Sequence, residues 1–267
     1  KVFYTPGFPS CANYWRNKLW IMNQENLGAC EHDKVLVAQT FGRKTGFLAG
    51  CARVGDRDRQ MPLVLLLPED QRPLEDVFDN IKSMVENRGR ALVIMSEGYD
   101  VGDIGERYDL SGQVMYGTSK TTAAQLLVNY LSERGIQARS FVPGFDQRSD
   151  INFVSCLDLD RAFCVGSYTV EKLFEGEKDF LSSVSSCGFS RDIVEYTSIN
   201  FDEINDYSRI MPDRWILKGE FDVSDDYVNY VLPLIGNEDV KLPKDSGRPL
   251  FAGRPQKMIQ SRYGNAI

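Results

Sequence analysis

Three short stretches of this chain carry residue types suited to holding an anionic, hydroxyl-bearing ligand. The first is Thr40-Phe41-Gly42-Arg43, which follows an apolar run and precedes a helical pattern. The glycine permits a tight strand-to-helix turn, a helix N-terminus there would offer unpaired N–H groups, and Arg43 adds a cation. An ordinary turn with a solvated arginine fits the same residues. The second stretch, Ser96-Glu97-Gly98, ends another apolar run. A carboxylate at that place can accept hydrogen bonds from sugar hydroxyls, or it can cap the next element. The third runs from Arg139 to Arg148 in ARSFVPGFDQRS, with two arginines flanking a Pro-Gly turn and Phe145 between them. That spacing lets both guanidinium groups converge on one phosphate, which arginine grips in a two-pronged manner. A charged loop without a ligand is the plain alternative.

The elements that must position these residues are legible as alternating strands and helices. Lys34–Thr40 (KVLVAQT), Pro62–Leu67 (PLVLLL) and Ala91–Ser96 (ALVIMS) are apolar runs of strand length without clean polar alternation, as parallel strands covered on both faces are. Ile136–Val142 predicts a further strand. Apolar spacing predicts helices over Cys11–Asn23, Gly42–Val54, Thr121–Leu131 and Asp158–Phe174. Pro73–Glu86 adds another, with proline at its first helical position, acids in its first turn and Gly89 as its stop. The pattern predicts an α/β fold with a largely parallel sheet and ligand sites at the carboxyl ends of its strands. After about Leu234 the chain turns rich in Gly and Pro, so residues 1–235 are expected to form the folded portion and 236–267 an irregular surface tail.

Composition narrows the functions further. With 42% hydrophobic and 26% charged residues, the chain has an ordinary globular balance. Its net charge of -7 argues against nucleic acid or an anionic membrane as a partner. An anionic ligand must then be held by individual Arg and Lys residues against the overall field. No apolar run approaches the ~20 residues of a membrane span. The six cysteines are scattered without a C-x-x-C pair, and His32 is the only histidine. Free, mostly buried thiols in a reducing cytosol are expected. No metal site is expected among these residues, and mechanisms needing two histidines are excluded. The chain opens at Lys1 rather than Met, which leads us to expect further sequence upstream.

The order of the motifs is more specific than any of them. F-G-R after one strand, L-P-E after the next (Leu67-Pro68-Glu69), then S-E-G, then R-x-x-x-x-G-[aromatic]-x-x-R resembles the running order of the phosphofructokinase superfamily. That family writes them M-G-R, P-E, S-E-G and G-[HY]-x-x-R. Thr5-Pro6-Gly7-Phe8 with Ser10 and Ala12 resembles its T-x-G-[FY]-x-[ST]-A helix start. Asp160–Gly166 resembles its D-x-x-x-A-x-x-V-G helix, and Tyr227–Gly236 (YVNYVLPLIG) the close of its pyrophosphate-dependent branch. The likeness covers roughly the first 240 residues.

The resemblance implies a three-layer, Rossmann-like phosphofructokinase fold whose N-terminal part is absent from these residues. It implies phosphoryl transfer from pyrophosphate, or from ATP, to the 1-hydroxyl of fructose 6-phosphate in glycolysis, with Mg²⁺ as cofactor. Phe41, Gly42, Arg43, Glu97, Phe145 and Arg148 would bind the sugar phosphate, while Lys34 and Arg139 would serve the site of a neighbouring subunit in a cytoplasmic homo- or hetero-oligomer. Phe41 departs from the family's Met and Phe145 from its His or Tyr, which loses a polar contact; Lys34 stands where Arg is common. The family's Gly-rich donor-phosphate loop and its T-I-D-N-D segment, which supplies the catalytic base and a metal-binding carboxylate, have no counterpart in these residues. The 267 residues alone are therefore expected to be inactive and to contain no catalytic residue. The other function class that fits is a non-catalytic, sugar-phosphate-binding or regulatory subunit of phosphofructokinase type.

Overall fold

The computed structural model of the chain describes residues 4–187, 194–204, 209–236, 244–245 and 248–249. The expected tail therefore lies almost wholly outside the described residues. Four parallel strands form the central sheet: β1 (Val35–Thr40), β2 (Leu63–Leu66), β3 (Ala91–Ser96) and β4 (Ala138–Phe141), in the order β2-β3-β1-β4. Alternate residues of these strands enter two separate cores. Leu36, Ala38, Leu63, Leu65, Leu92 and Ile94 pack beneath Tyr14, Trp15 and Leu19 of α1 (Phe8–Ala29) and Val228 and Val231 of α7 (Asp225–Ile235). Val35, Val37, Val64, Leu66, Val93 and Met95 face Val77 and Ile81 of α3 (Leu74–Arg88) and Leu127 and Leu131 of α4 (Ala123–Glu133). Burying each such large side chain stabilises the fold by about 1.5–3 kcal/mol. Cover on both faces explains why β1, β2 and β3 read as unbroken apolar runs. The expected three-layer α/β architecture with its parallel sheet is present.

Several predicted boundaries shift. The helix expected over Gly42–Val54 is only a four-residue helix, α2 (Phe47–Gly50), continued by a 3-10 turn over Cys51–Gly55. Gly42 (φ 129°) and Arg43 (φ 51°) sit at positive φ, which no helix tolerates, so the chain makes an open turn first. Pro73 is the residue before α3 rather than its first, and Gly89 (φ 78°) closes that helix in the left-handed conformation. Cys11 and Cys51 are buried, Cys30 and Cys156 are half-buried, and Cys164 is exposed. The expectation of mostly buried thiols thus fails for the others. Burial, reinforced by the nearby Asp158 charge, pushes the Cys11 thiol up to about 12.

A second layer of structure lies beyond the short α5 (Asp146–Ser149). It comprises α6 (Cys156–Phe174), the antiparallel pair β5 (Phe180–Cys187) and β6 (Val194–Asn200), and the small hairpin β7 (Ile216–Leu217) with β8 (Asp222–Val223). α6 supplies the cap of α1 across space. Asp158 Oδ1 accepts the Gly7 N–H at 2.7 Å, and its Oδ2 accepts the Ser10 hydroxyl at 2.6 Å and the Ser10 N–H at 3.1 Å. A carboxylate at a helix N-terminus satisfies orphan donors and favours the helix dipole. The buried acid of this helix is therefore Asp158; Asp160 is exposed.

Candidate sugar-phosphate site

The carboxyl edge of the sheet brings two of the three motifs together directly. β1 and β3 run side by side in register to their ends, where Thr40 pairs with Ser96. The F-G-R turn and the S-E-G stretch consequently leave the sheet as neighbours. S-E-G grips the backbone of Arg43 residue by residue. Ser96 Oγ donates to the Arg43 carbonyl at 2.8 Å, and Glu97 Oε1 accepts the Arg43 N–H at 3.1 Å. Gly98 leaves room for the same carbonyl, since a Cβ there would stand 2.1 Å from the Arg43 oxygen. These contacts hold a non-glycine residue at positive φ, a conformation that costs of order 1–3 kcal/mol.

This arrangement corrects the expectation of free N–H groups at a helix start. The Arg43 N–H is taken by Glu97, and the Gly46 N–H, at the true helix start, is taken by Glu69 Oε2 at 2.8 Å. Glu97 is itself buried, and burial raises its carboxyl above the usual range; the Arg43 N–H and charge and the Gly42 N–H oppose that rise. One oxygen of Glu97 thus serves neither a ligand nor the element that follows it, but the upstream turn at Arg43.

The third motif arrives from β4, which pairs β1 on its other side with Phe141 opposite Ala38. Beyond it the Pro-Gly turn leads into α5. Arg148 is exposed and places its guanidinium 5.4 Å from the centroid of the Phe41 ring. A cation over an aromatic face is attracted by about 0.5–1 kcal/mol at an exposed site. Phe145 precedes α5 and is 68% exposed, so its ring is available to a ligand rather than committed to the core. Arg43 reaches the other way, donating from Nη1 to the side-chain Oε1 of Gln113 in the loop after β3. Tyr116, from the same loop, lies within the field of Glu97 and Arg43, and burial raises its hydroxyl.

Arg139 does not join Arg148. It stands near the start of β4, opposite Leu36, with Nη2 2.7 Å from Glu25 Oε1 and Nε 3.7 Å from Asp33 Oδ2. The convergence of both guanidinium groups on one phosphate is thus not formed within the chain. The reason is the strand between them, which carries the two arginines to opposite ends of the sheet. Lys34 lies at that same far end, immediately before β1 and exposed. Seven extended steps along the chain separate it from Phe41, roughly 23 Å at about 3.3 Å per step. Neither cation can serve the pocket of its own chain.

Two residues that sequence reasoning passed over organise the site. Gln113 meets Arg43, and Gln147 is buried between the Phe41 turn and the Arg148 loop. Neither shows any signal in the sequence, because a glutamine in a polar loop acquires a role only when the fold brings its partners close. Among the described residues no group of three or more His, Cys, Asp or Glu could hold a metal ion. No helix among the described residues is long and apolar enough to cross a membrane.

A parallel sheet with helices on both faces, and with a glycine turn, a buried glutamate and two arginines at its carboxyl edge, is an α/β arrangement of the class whose ligands generally bind outside the carboxyl ends of the strands. The chain belongs to the phosphofructokinase family: the family profile, described as Phosphofructokinase, matches residues 2–172. It is 27% identical over 244 residues to the pyrophosphate–fructose 6-phosphate 1-phosphotransferase of Rhodospirillum rubrum, covering 87% of this chain and 59% of that protein. It is 23% identical over 225 residues to a sulfofructose kinase of Alkalicoccus urumqiensis, covering 80% and 56% respectively. The fold matches that of a pyrophosphate-dependent phosphofructokinase from Marinobacter aquaeolei with a TM-score of 0.79 at 22% identity, over 98% of this chain and 63% of that one. The chain thus spans about three-fifths of the length of the relatives it matches.

Proposed function

We propose that this chain provides the sugar-phosphate side of a phosphofructokinase that transfers a phosphoryl group from pyrophosphate, rather than ATP, to the 1-hydroxyl of fructose 6-phosphate. The observation that carries the reading is the meeting of three distant motifs at one sheet edge, with Arg148 over Phe41 and the Arg43 backbone held by Glu97. Arg148 gives charge-assisted hydrogen bonds to the substrate's phosphate, and Arg43 supplies a second cation to the site. The Phe41 and Phe145 rings pack against the sugar, and Gly42 lets the backbone approach it. The second oxygen of Glu97 accepts from a sugar hydroxyl. The preference for pyrophosphate rests on the names of the relatives and on the S-E-G and P-L-I-G wording.

Phosphoryl transfer depends chiefly on positioning and electrostatic stabilisation. Its base, its donor-phosphate loop and its Mg²⁺ ligands are assigned to residues outside this sequence. In that account residues 1–235 act as one substrate-binding unit and the 267 residues alone are inactive. The setting is glycolysis in the cytoplasm.

Lys34, just before β1, and Arg139, on the adjacent β4, lie at the far end of the sheet. They are assigned to a neighbour's pocket, which makes the native protein a homo- or hetero-oligomer. Trp20 and Ile21, each 54% exposed, and Leu27 lie on α1 with Glu25, the partner of Arg139, and give that face an apolar patch suited to a subunit contact. Light scattering at micromolar concentration should find a dimer or larger species; a clean monomer would leave both cations as surface charges.

The activity test is a coupled measurement of fructose 1,6-bisphosphate formation, with pyrophosphate and ATP tried side by side. The 267 residues alone should be silent, and the natural full-length protein should turn over with pyrophosphate. A silent full-length protein that still binds fructose 6-phosphate would favour the non-catalytic reading. Turnover by the 267 residues alone would show that the base lies within them.

A further inference from the structure

We propose that Gln147 is the positioning residue of the sugar-phosphate pocket, a buried carboxamide that fixes Phe41 and Arg148 relative to one another. The inference rests on the site reading above and adds to it a residue that touches no ligand. Gln147 is 3% exposed and joins three separate parts of the chain. Its Oε1 accepts from Trp15 Nε1 of α1 at 3.0 Å and from the Phe41 N–H at 2.9 Å. Its Nε2 donates to the Gly144 carbonyl at 2.9 Å, in the turn that launches α5.

The orientation of this amide is chemically determined. Indole and backbone N–H groups can only donate, and a backbone carbonyl can only accept. A flipped amide would set donor against donor twice and acceptor against acceptor once. The side chain therefore has one setting, and that setting couples the F-G-R turn to the Pro-Gly turn. Arg148 is the next residue along the chain, and its N–H donates to the Phe145 carbonyl at 3.0 Å. Any shift of Gln147 moves Arg148 at one end and the Phe41 ring beneath its guanidinium at the other. The α1 core, through fully buried Trp15, serves as the fixed point.

The test uses the native full-length protein, with fructose 6-phosphate as the probe in calorimetry. Gln147→Leu keeps the side-chain bulk and removes all three hydrogen bonds. It should weaken binding about tenfold, in line with the loss of more than one buried hydrogen bond. Made in an Arg148→Ala background, the same change should cost nothing further, because Gln147 acts through Arg148. A merely structural role would lower thermal stability but give equal loss of affinity in both backgrounds, which would overturn the proposal. Trp15→Phe removes one of the three bonds at a distance from the pocket and should weaken binding about threefold. Should Gln147→Leu not fold, unchanged affinity in Trp15→Phe would overturn the proposal by itself. Arg148→Ala with parental affinity would instead overturn the pocket reading and this role with it. Weakened Arg148→Ala beside an unaffected Gln147→Leu would overturn only the role of Gln147.

Discussion

The two ends of the central sheet carry basic residues held in opposite ways. At the carboxyl edge Arg43 is fixed through its backbone, by a serine hydroxyl, a buried carboxylate and the space left by a glycine. At the amino edge Lys34 is exposed, and Arg139 is held by side-chain pairs to Glu25 and Asp33 near the surface. Buried polar groups such as those of Ser96 and Glu97 cost about 1–3 kcal/mol each to leave unpaired, whereas exposed ion pairs are worth about 0–1 kcal/mol. The carboxyl edge is thus a preformed surface. The amino edge keeps two long, loosely tethered cations that a docking partner can redirect.

The sharpest way to break this contrast is Gly98→Ala. Its Cβ would meet the Arg43 carbonyl, so either the turn or the strand end must move. The native protein should lose about 2–3 kcal/mol in urea unfolding and its measurable affinity for fructose 6-phosphate. Parental values for both would mean that the turn is not clamped. Ser96→Ala should have a smaller effect. It deletes one buried hydrogen bond to the Arg43 carbonyl and should cost about 1 kcal/mol of stability.

Glu97→Gln sharpens the comparison through pH. Burial raises the Glu97 carboxyl, so its contribution to stability is fully present below the unfolded carboxylate range and is lost as pH climbs through the raised value. The stability of the parent relative to Glu97→Gln should therefore decline with rising pH across that window. Affinity for the sugar should rise over the same window, as the acceptor ionises, and the variant should lack that component. Equal pH profiles for parent and variant would remove Glu97 from both roles. The smallest effect is expected at the other edge. Arg139→Ala should change chain stability by no more than about 1 kcal/mol while weakening binding in the assembled protein. An unchanged affinity in the oligomer would leave Arg139 a surface ion pair.

Much of the carboxyl edge was legible in the sequence because its strands are covered on both faces. Unbroken runs such as Ala91–Ser96 reveal the strands, and the motifs follow directly on their ends. The order F-G-R, L-P-E, S-E-G and G-F-D-Q-R then fixed which ends mattered. The turn itself was not legible: its positive φ at Arg43 depends on contacts from Ser96 and Glu97, more than fifty residues away. Gln147 was invisible for the same reason, since Trp15 and Phe41 meet it only across the fold. The pair β5 and β6 escaped notice because serine-rich FLSSVSSC lacks the apolar periodicity of the core strands. The distance between Arg139 and Arg148 was misjudged although the strand was expected, because Arg139 falls near the start of β4 and Arg148 in α5, beyond the turn that follows it.

The central claim is that Phe41, Arg43, Glu97 and Arg148 line one pocket for a phosphorylated sugar. Calorimetric titration of the native full-length protein with fructose 6-phosphate, alongside its Arg148→Ala variant, tests it most directly. The account predicts saturable binding by the parent and at least about tenfold weaker binding by the variant, the loss of a charge-assisted contact of ~1.5 kcal/mol or more. Equal binding by the two proteins, or none by either, would contradict it.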